Sequence, residues 1–417
     1  MNGTFEDTLH YTSPAHGGWG MVRIGMLVPE SVQLFVCPFA CGRHGAIGAM
    51  RQGFKDRLAY LYVDQNDIVR GYDDQIPGAV EELLDALPRR PRVVLIFLSC
   101  LDDLIGTDRE ALLEVLHGRF PDLRFRICHM NPISLDSKSP PPVTIRRRIY
   151  SLLEPSETKE TSVNSIGNLE AVAPECELHR VLEGLGAGEL RHISRCRTFE
   201  EFQRMASSRA NLVLAPTGVQ AAKEMERALG IPFLLLPVSY RIGEIEAGYR
   251  QLRDFLDPSG AEPDLSAERA AALVAVEAAL RAVGDRPVIV DASAVTRPFG
   301  LARALLEYGF SVRRVVAQKC IPIDRKSLDW LEENRPDVEL VQPQHHRAVR
   351  FEGRLAEALA IGVDGAYLAG AGHVVDLFAD GALFGFHGLR VLMERMRAAA
   401  EAETDLERLI ESYGLVV

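Results

Sequence analysis

Residues 92–108, "RVVLIFLSCLDDLIGTD", decide the fold. An unbroken apolar run stops at Ser99 and Cys100, and acidic and turn-forming residues follow. A run this short, without polar alternation, reads as a strand buried on both faces, the mark of a parallel sheet. It is about half the ~20 residues needed to span a bilayer. The same reading makes strands of "VQLFV" at 32–36, "LAYLYV" at 58–63 and "RFRICH" at 124–129, with helices expected at 78–87 and 109–118. Strands alternating with helical stretches are the pattern of parallel sheets with crossover helices.

The alternation continues to the end of the chain. The prolines and serines of "NPISLDSKSPPPV", from 131, forbid a continuing helix or central strand and close a first module. A second module begins near "SVNSIGN" at 162–168 and includes "IPFLLLPV", read as a buried strand. Its long helix at about 266–282 stops at Gly284, and "PVIVDAS" opens a third. The expected class is α/β, with three Rossmann-like modules of parallel sheets flanked by helices. The expected domains are 1–155, 156–285 and 286–417.

Composition sets outer limits. The 417 residues exceed one ordinary core at ~100 to 200 residues per domain. The net charge of −11 argues against a nucleic-acid surface, and the basic stretch "IRRRIY" at 145–150 is too short to reverse that. The first residues are acidic and polar where an export signal needs a basic and then an apolar region, so a cytoplasmic protein without a membrane span is expected. Seven cysteines without an export signal do not suggest a disulfide framework.

The cysteines carry the chemistry. Cys37 and Cys41 in "FVCPFACGRHGAIGAM" follow one strand and are expected on the loop at its C-terminal end. Cys100 follows another strand, in the region where α/β sheets place ligands. Thiolates select iron-sulfur clusters or zinc, whereas a lone cysteine at a strand end is usually packing. Cys128 is a candidate fourth ligand or core, and Cys176, Cys196 and Cys320 read as structural. The glycines after Cys41 do not fit a phosphate cradle, "GLGAG" at 184–188 follows a helix rather than a strand, and no Gly-x-x-x-x-Gly-Lys-Ser/Thr loop occurs.

The segments "CPFACGRHGAIGA" and "SCLDDLIGTD", with "GGWG" at 17–20 upstream, resemble the nitrogenase component 1 family. Further echoes are "SVNSIGN", "NLVLAPTGVQAAKEMERALGIPFLLLP" at 211–237, "GVDGAYLAG" at 362–370, matched to a late strand, and "LFGFHGL" at 383–389, matched to the start of the last long helix. The resemblance implies a redox subunit in which Cys41 and Cys100 ligate a 4Fe-4S cluster at a subunit interface. Cys37 is then either an extra ligand or a substitute for an upstream family cysteine that this chain lacks. It also implies a homodimer or a heterodimer with a related chain, and an ATP-hydrolysing iron protein as electron donor to an organic or small-molecule substrate. A non-catalytic scaffold or carrier for cluster or metallocofactor assembly is the alternative. Where nitrogenase has a cysteine that holds its metal cofactor, this chain has Ala215, so dinitrogen chemistry is not expected.

Other groups are weighed against plainer roles. Asp102 and Asp103 are expected to cap the helix after Cys100. Arg43 and His44 could meet a cluster, a substrate or solvent. His345 and His346, being adjacent, are expected to point apart, and His373 and His387 are lesser candidates for proton donors.

Overall fold

In the computed structural model, which describes residues 5, 9–12, 20–130 and 139–413, the apolar part of the run at 92–108 forms a strand buried at every position. That strand, β3 (Val93–Ser99), lies in a four-stranded parallel sheet with β1 (Ser31–Cys37), β2 (Leu58–Tyr62) and β4 (Arg124–Met130). The order β2-β1-β3-β4 makes the chain reverse its direction of sheet growth between β1 and β3. Such a switch point leaves a crevice beyond the strand C-termini, because the crossovers on its two sides run away from each other. Helices Ile76–Ala86 and Arg109–Arg119 connect strands close to the sequence expectation, and a further helix, Phe39–Arg51, connects β1 to β2.

The second sheet holds β5 (Val163–Ile166), β6 (Leu190–Arg191), β7 (Ala210–Val213) and β8 (Phe233–Leu235), all parallel in the order β6-β5-β7-β8. Its switch point is between β5 and β7. "IPFLLLPV" yields only the three residues of β8, and they are half-buried, because β8 is an edge strand confined between prolines. The proline run at 140–142 starts helix Pro141–Tyr150, where a missing N–H costs nothing in the first turn. Residues 17–19 of "GGWG" and 131–138 of the first module's closing segment lie outside the described residues. By its contacts, one compact unit comprises Gly18–Ala171 and Leu190–Leu235, holding these two sheets.

The other unit includes Val172–Glu189 and Leu236–Val417. Its five-stranded parallel sheet contains β9 (Val288–Asp291), β10 (Val312–Val316), β11 (Glu339–Val341), β12 (Leu359–Ile361) and β13 (His373–Val375), in the order β11-β10-β9-β12-β13. "GVDGAYLAG" is not a strand as expected; it is mainly helix Val363–Ala369, following β12. Its small apolar residues are buried on all sides, so periodicity cannot separate strand from helix. Helix Ser266–Val283 packs along Gly385–Glu401, which "LFGFHGL" opens as expected.

One buried carboxylate organises the start of helix Gly385–Glu401. Glu177 Oε1 accepts the Phe386 N–H at 2.6 Å and the Tyr249 hydroxyl at 2.7 Å, and Oε2 accepts the His387 N–H at 3.0 Å. These amides have no partner within the helix, and their partial positive charge favours an anion. Gly385, at φ 62°, is required here: a Cβ would lie 2.2 Å from Glu177 Oε1. The chain therefore has the expected α/β architecture of three all-parallel, helix-flanked sheets. No helix among the described residues is long and apolar enough to cross a membrane.

Candidate functional site

The switch point of the first sheet gathers three thiols. Cys37 is the last residue of β1 and fully buried. Val36 pairs with Leu98, and continuing that register sets Cys37 beside Ser99, with Cys100 next along the chain. Cys41 is not on a loop as expected but in the first turn of helix Phe39–Arg51, because Pro38, at φ −57°, turns the chain straight from strand into helix.

The glycines after Cys41 have a packing role. A Cβ on Gly42 would come within 2.5 Å of the Tyr60 ring, and one on Gly45 within 2.5 Å of the Phe35 ring. Their absence lets the helix settle directly onto the sheet, which holds Cys41 close to the two strand-end thiols.

None of the three cysteines is in a disulfide. Burial, and then the neighbouring Cys41, push the Cys37 thiol up to about 12. Burial, and then Cys100, raise Cys41. Cys41 thus stands in the electrostatic reach of both other thiols, and Cys41 and Cys100 are only half-buried.

Their spacing is informative. Among the described residues, the trio of His, Cys, Asp or Glu donor atoms lying within 4.8 Å of one another is Asp102, Asp103 and His129. At least one pair of the three sulfurs is therefore more than 4.8 Å apart, wider than around a single tetrahedral zinc, whose ~2.3 Å bonds put sulfurs roughly 3.8 Å apart.

The acidic trio has its own occupant. Arg109 places Nη2 3.2 Å from Asp102 Oδ2 and 3.8 Å from Asp103 Oδ1, supplying the positive charge a metal would bring. This corrects the capping expectation: helix Asp102–Ile105 has Leu101 at its N-cap without a side-chain cap, and Asp102 is buried against Arg109. Burial, and then Arg109, hold the His129 pKa below its usual value.

The remaining candidates fall into supporting roles. Cys128 is buried in the same apolar cluster as Ile145 and Tyr150, and burial pushes its thiol up to about 12. Cys176, Cys196 and Cys320 lie against the carbonyls of Phe384, His192 and Ile321. His345 and His346 do not point apart; their rings stack at 4.3 Å, and His345 caps the short helix His346–Arg350. His373 Nδ1 is 2.8 Å from Ala399 O and so ties down the end of helix Gly385–Glu401. His387 is half-buried beside Arg390, while Arg43 is exposed and His44 half-buried. Ala215 follows β7, and its carbonyl would meet a Cβ on Gly167 at 2.5 Å, so backbone fills the innermost part of the second switch point.

All-parallel, helix-flanked sheets with unbridged thiols at the first switch point define a Rossmann-like α/β protein with a thiol-lined crevice. The chain belongs to the nitrogenase component 1 type oxidoreductase family, whose profile matches residues 18–401. Its fold is similar to that of nitrogenase Cp1 solved at pH 6.5, with a TM-score of 0.72 and 16% identity over 96% of this chain and 95% of that one. A structure of nitrogenase Cp1 at pH 5 gives a TM-score of 0.66 and 15% identity over 91% of this chain and 87% of that one. Comparison with curated proteins gives no sequence match.

Proposed function

We propose that the chain is the redox subunit of a nitrogenase-like reductase in which Cys37, Cys41 and Cys100 ligate a 4Fe-4S cluster. The observation that carries this reading is the grouping of three free thiols at the switch point of the first sheet, with Cys41 in the electrostatic reach of both others. The donor set fits. Thiolates are the ligands of iron-sulfur clusters, and sulfurs too spread for one zinc suit a larger group.

The cluster, when bound, supplies one-electron transfer between an ATP-hydrolysing iron protein and an organic or small-molecule substrate. The chain's own residues do the rest. β1 and β3 fix Cys37 and Cys100 through one hydrogen-bonded ladder, and the glycine-packed helix fixes Cys41. Because burial favours the neutral thiols, ligation must release their protons. Three thiolates leave one ligand for a partner chain, identical or related, and so imply a dimer. Alanine at 215 offers the second sheet no thiolate there, which favours an organic substrate over a nitrogenase-type cofactor.

Anaerobic purification with iron and sulfide analysis and low-temperature spectroscopy tests the assignment. About four iron atoms per cluster and a reducible paramagnetic signal are expected. A colourless, iron-free protein after reconstitution refutes it. Reduction that depends on ATP and an iron protein separates a reductase from an assembly scaffold.

A further inference from the structure

The basic stretch "IRRRIY" at 145–150 has no part in the thiol site. It forms the last turns of helix Pro141–Tyr150, and its three arginines differ in environment. Arg148 is exposed, and Arg147 pairs with Glu224, donating from Nε at 2.6 Å. Arg146 is only 5% exposed, and no carboxylate pairs with it among the described residues. Among the described residues its one protein acceptor is the Pro142 carbonyl of its own helix, 3.0 Å from Nη1.

A largely buried guanidinium without a counter-ion is costly, because the charge loses most of its hydration and gains only one carbonyl in return. Burial correspondingly lowers the Arg146 pKa to about 10, so it stays charged at neutral pH.

Its surroundings complete the picture. The Arg146 charge acts on Tyr150, buried one turn later, and on His192, which directly follows β6 at the C-terminal end of the second sheet. His192 is 1% exposed, and its Nδ1 accepts the Ser194 N–H at 3.2 Å and, with that nitrogen as acceptor, the Ser194 hydroxyl at 2.7 Å. That leaves the ring proton on Nε2, which is buried and lies toward the Asn168 backbone without hydrogen-bond geometry to any acceptor. Burial holds the ring neutral, with a pKa of about 4. A cation and a neutral donor, both buried and under-partnered, thus sit where parallel sheets receive ligands.

We propose that Arg146 anchors a binding site for a small-molecule carboxylate at the C-terminal end of the second sheet, with His192 Nε2–H as an additional donor. The class of ligand follows from the free edge of the guanidinium. With Nη1 committed to Pro142, the Nε–H and Nη2–H pair remains, two parallel donors that match the two oxygens of one carboxylate. One negative charge balances the Arg146 guanidinium; the buried Arg191, next to His192 in the chain, already pairs with Glu160. The site draws on none of the three thiols and stands whether or not they bind a cluster.

The experiment is a thermal-shift and calorimetric titration of the purified full chain with acetate, succinate and citrate. Sodium chloride at matched ionic strength is the control, and inorganic phosphate is the competing class. Wild type, Arg146→Met and Arg146→Lys are compared. At least one carboxylate should raise the wild-type Tm beyond the salt control. Arg146→Lys, which keeps the charge but loses the fork, should bind that carboxylate at least about tenfold more weakly. Arg146→Met should lose the response and, free of ligand, be no less stable than wild type, because it removes an unpaired buried charge. Equal shifts in wild type and both variants, or no carboxylate response in wild type, overturn the site. A larger Arg146-dependent response to phosphate overturns the carboxylate assignment. If Arg146→Met does not fold, unaltered binding by Arg146→Lys is still sufficient to refute it.

Discussion

Two glycines of similar sequence context should respond to alanine with opposite signs. Gly78 lies in helix Ile76–Ala86 with nothing within 4 Å of a built Cβ, so Gly78→Ala should stabilise by about 0.5–1 kcal/mol through helix propensity. Gly45 lies in the Cys41 helix, where a Cβ would be 2.5 Å from Phe35 Cε2. Restoring an ordinary 3.4 Å contact requires about 0.9 Å of displacement. Phe35 has little freedom to move, being fully buried and packed on Phe97 at 5.0 Å. Overpacking of this kind costs roughly 1–3 kcal/mol and outweighs the propensity gain, so Gly45→Ala should lower stability. The helix, rather than the core, should yield, carrying Cys41 away from Cys37 and Cys100. Urea denaturation of both variants, with iron bound per chain after reconstitution, measures both effects. Phe35→Leu in the Gly45→Ala background should recover part of the loss. If Gly45→Ala is as stabilising as Gly78→Ala, the close approach of helix to sheet is not what holds Cys41.

Cys41→Ser or Cys100→Ser should each reduce reconstituted iron by at least half with little change in stability. Cys128→Ser should keep the iron but lower Tm, because it puts a hydroxyl into an apolar cluster. Glu177→Ala should cost about 3 kcal/mol or more by urea denaturation, since it strands two helix-terminal amides and the Tyr249 hydroxyl at ~1–3 kcal/mol each. Glu177→Gln, which retains one oxygen acceptor, should cost less; equal losses would contradict the hydrogen-bond account. Burial raises the Asp324 pKa from 3.8 to about 6, although Arg297 and the Phe299 and Gly300 amides favour its charged form. Its folded pKa is the higher one, so its contribution is complete below about 3.8 and is lost as pH rises through about 6. Between pH 7 and 5 the wild type should therefore gain roughly 1 kcal/mol more than Asp324→Asn. Asp291, raised to about 6 by burial and then Asp364, adds to both slopes equally.

What the sequence disclosed was what local pattern encodes. The apolar run of β3 could hardly be anything but a buried strand, and the glycine at 284 stops helix Ser266–Val283 where expected. Cys37 and Cys100 were legible for the same reason, since strand ends fix their place. Cys41 was misplaced onto a loop because its glycines look like breakers until Phe35 and Tyr60 show what they accommodate. The Asp102–Arg109 pair, the Glu177 cap and the His345–His346 stack depend on tertiary packing, which no spacing rule reports. Arg146 was passed over with the two arginines after it, since a run of like charges reads as solvated surface and burial is not written in the run.

The ladder joining β1 and β3 also governs where this chain can change length. Its strands enter the sheet at one end and deliver their thiols at the other. Residues inserted between Leu87 and Arg92, before β3, would be absorbed in the connection and leave Cys37 and Cys100 side by side. A single residue inserted at Pro38 would rotate Cys41 by about a quarter-turn of helix and separate it from the pair. Engineered or natural variation in spacing should therefore be tolerated at the strands' N-terminal end, and the crevice end should behave as a fixed-length part.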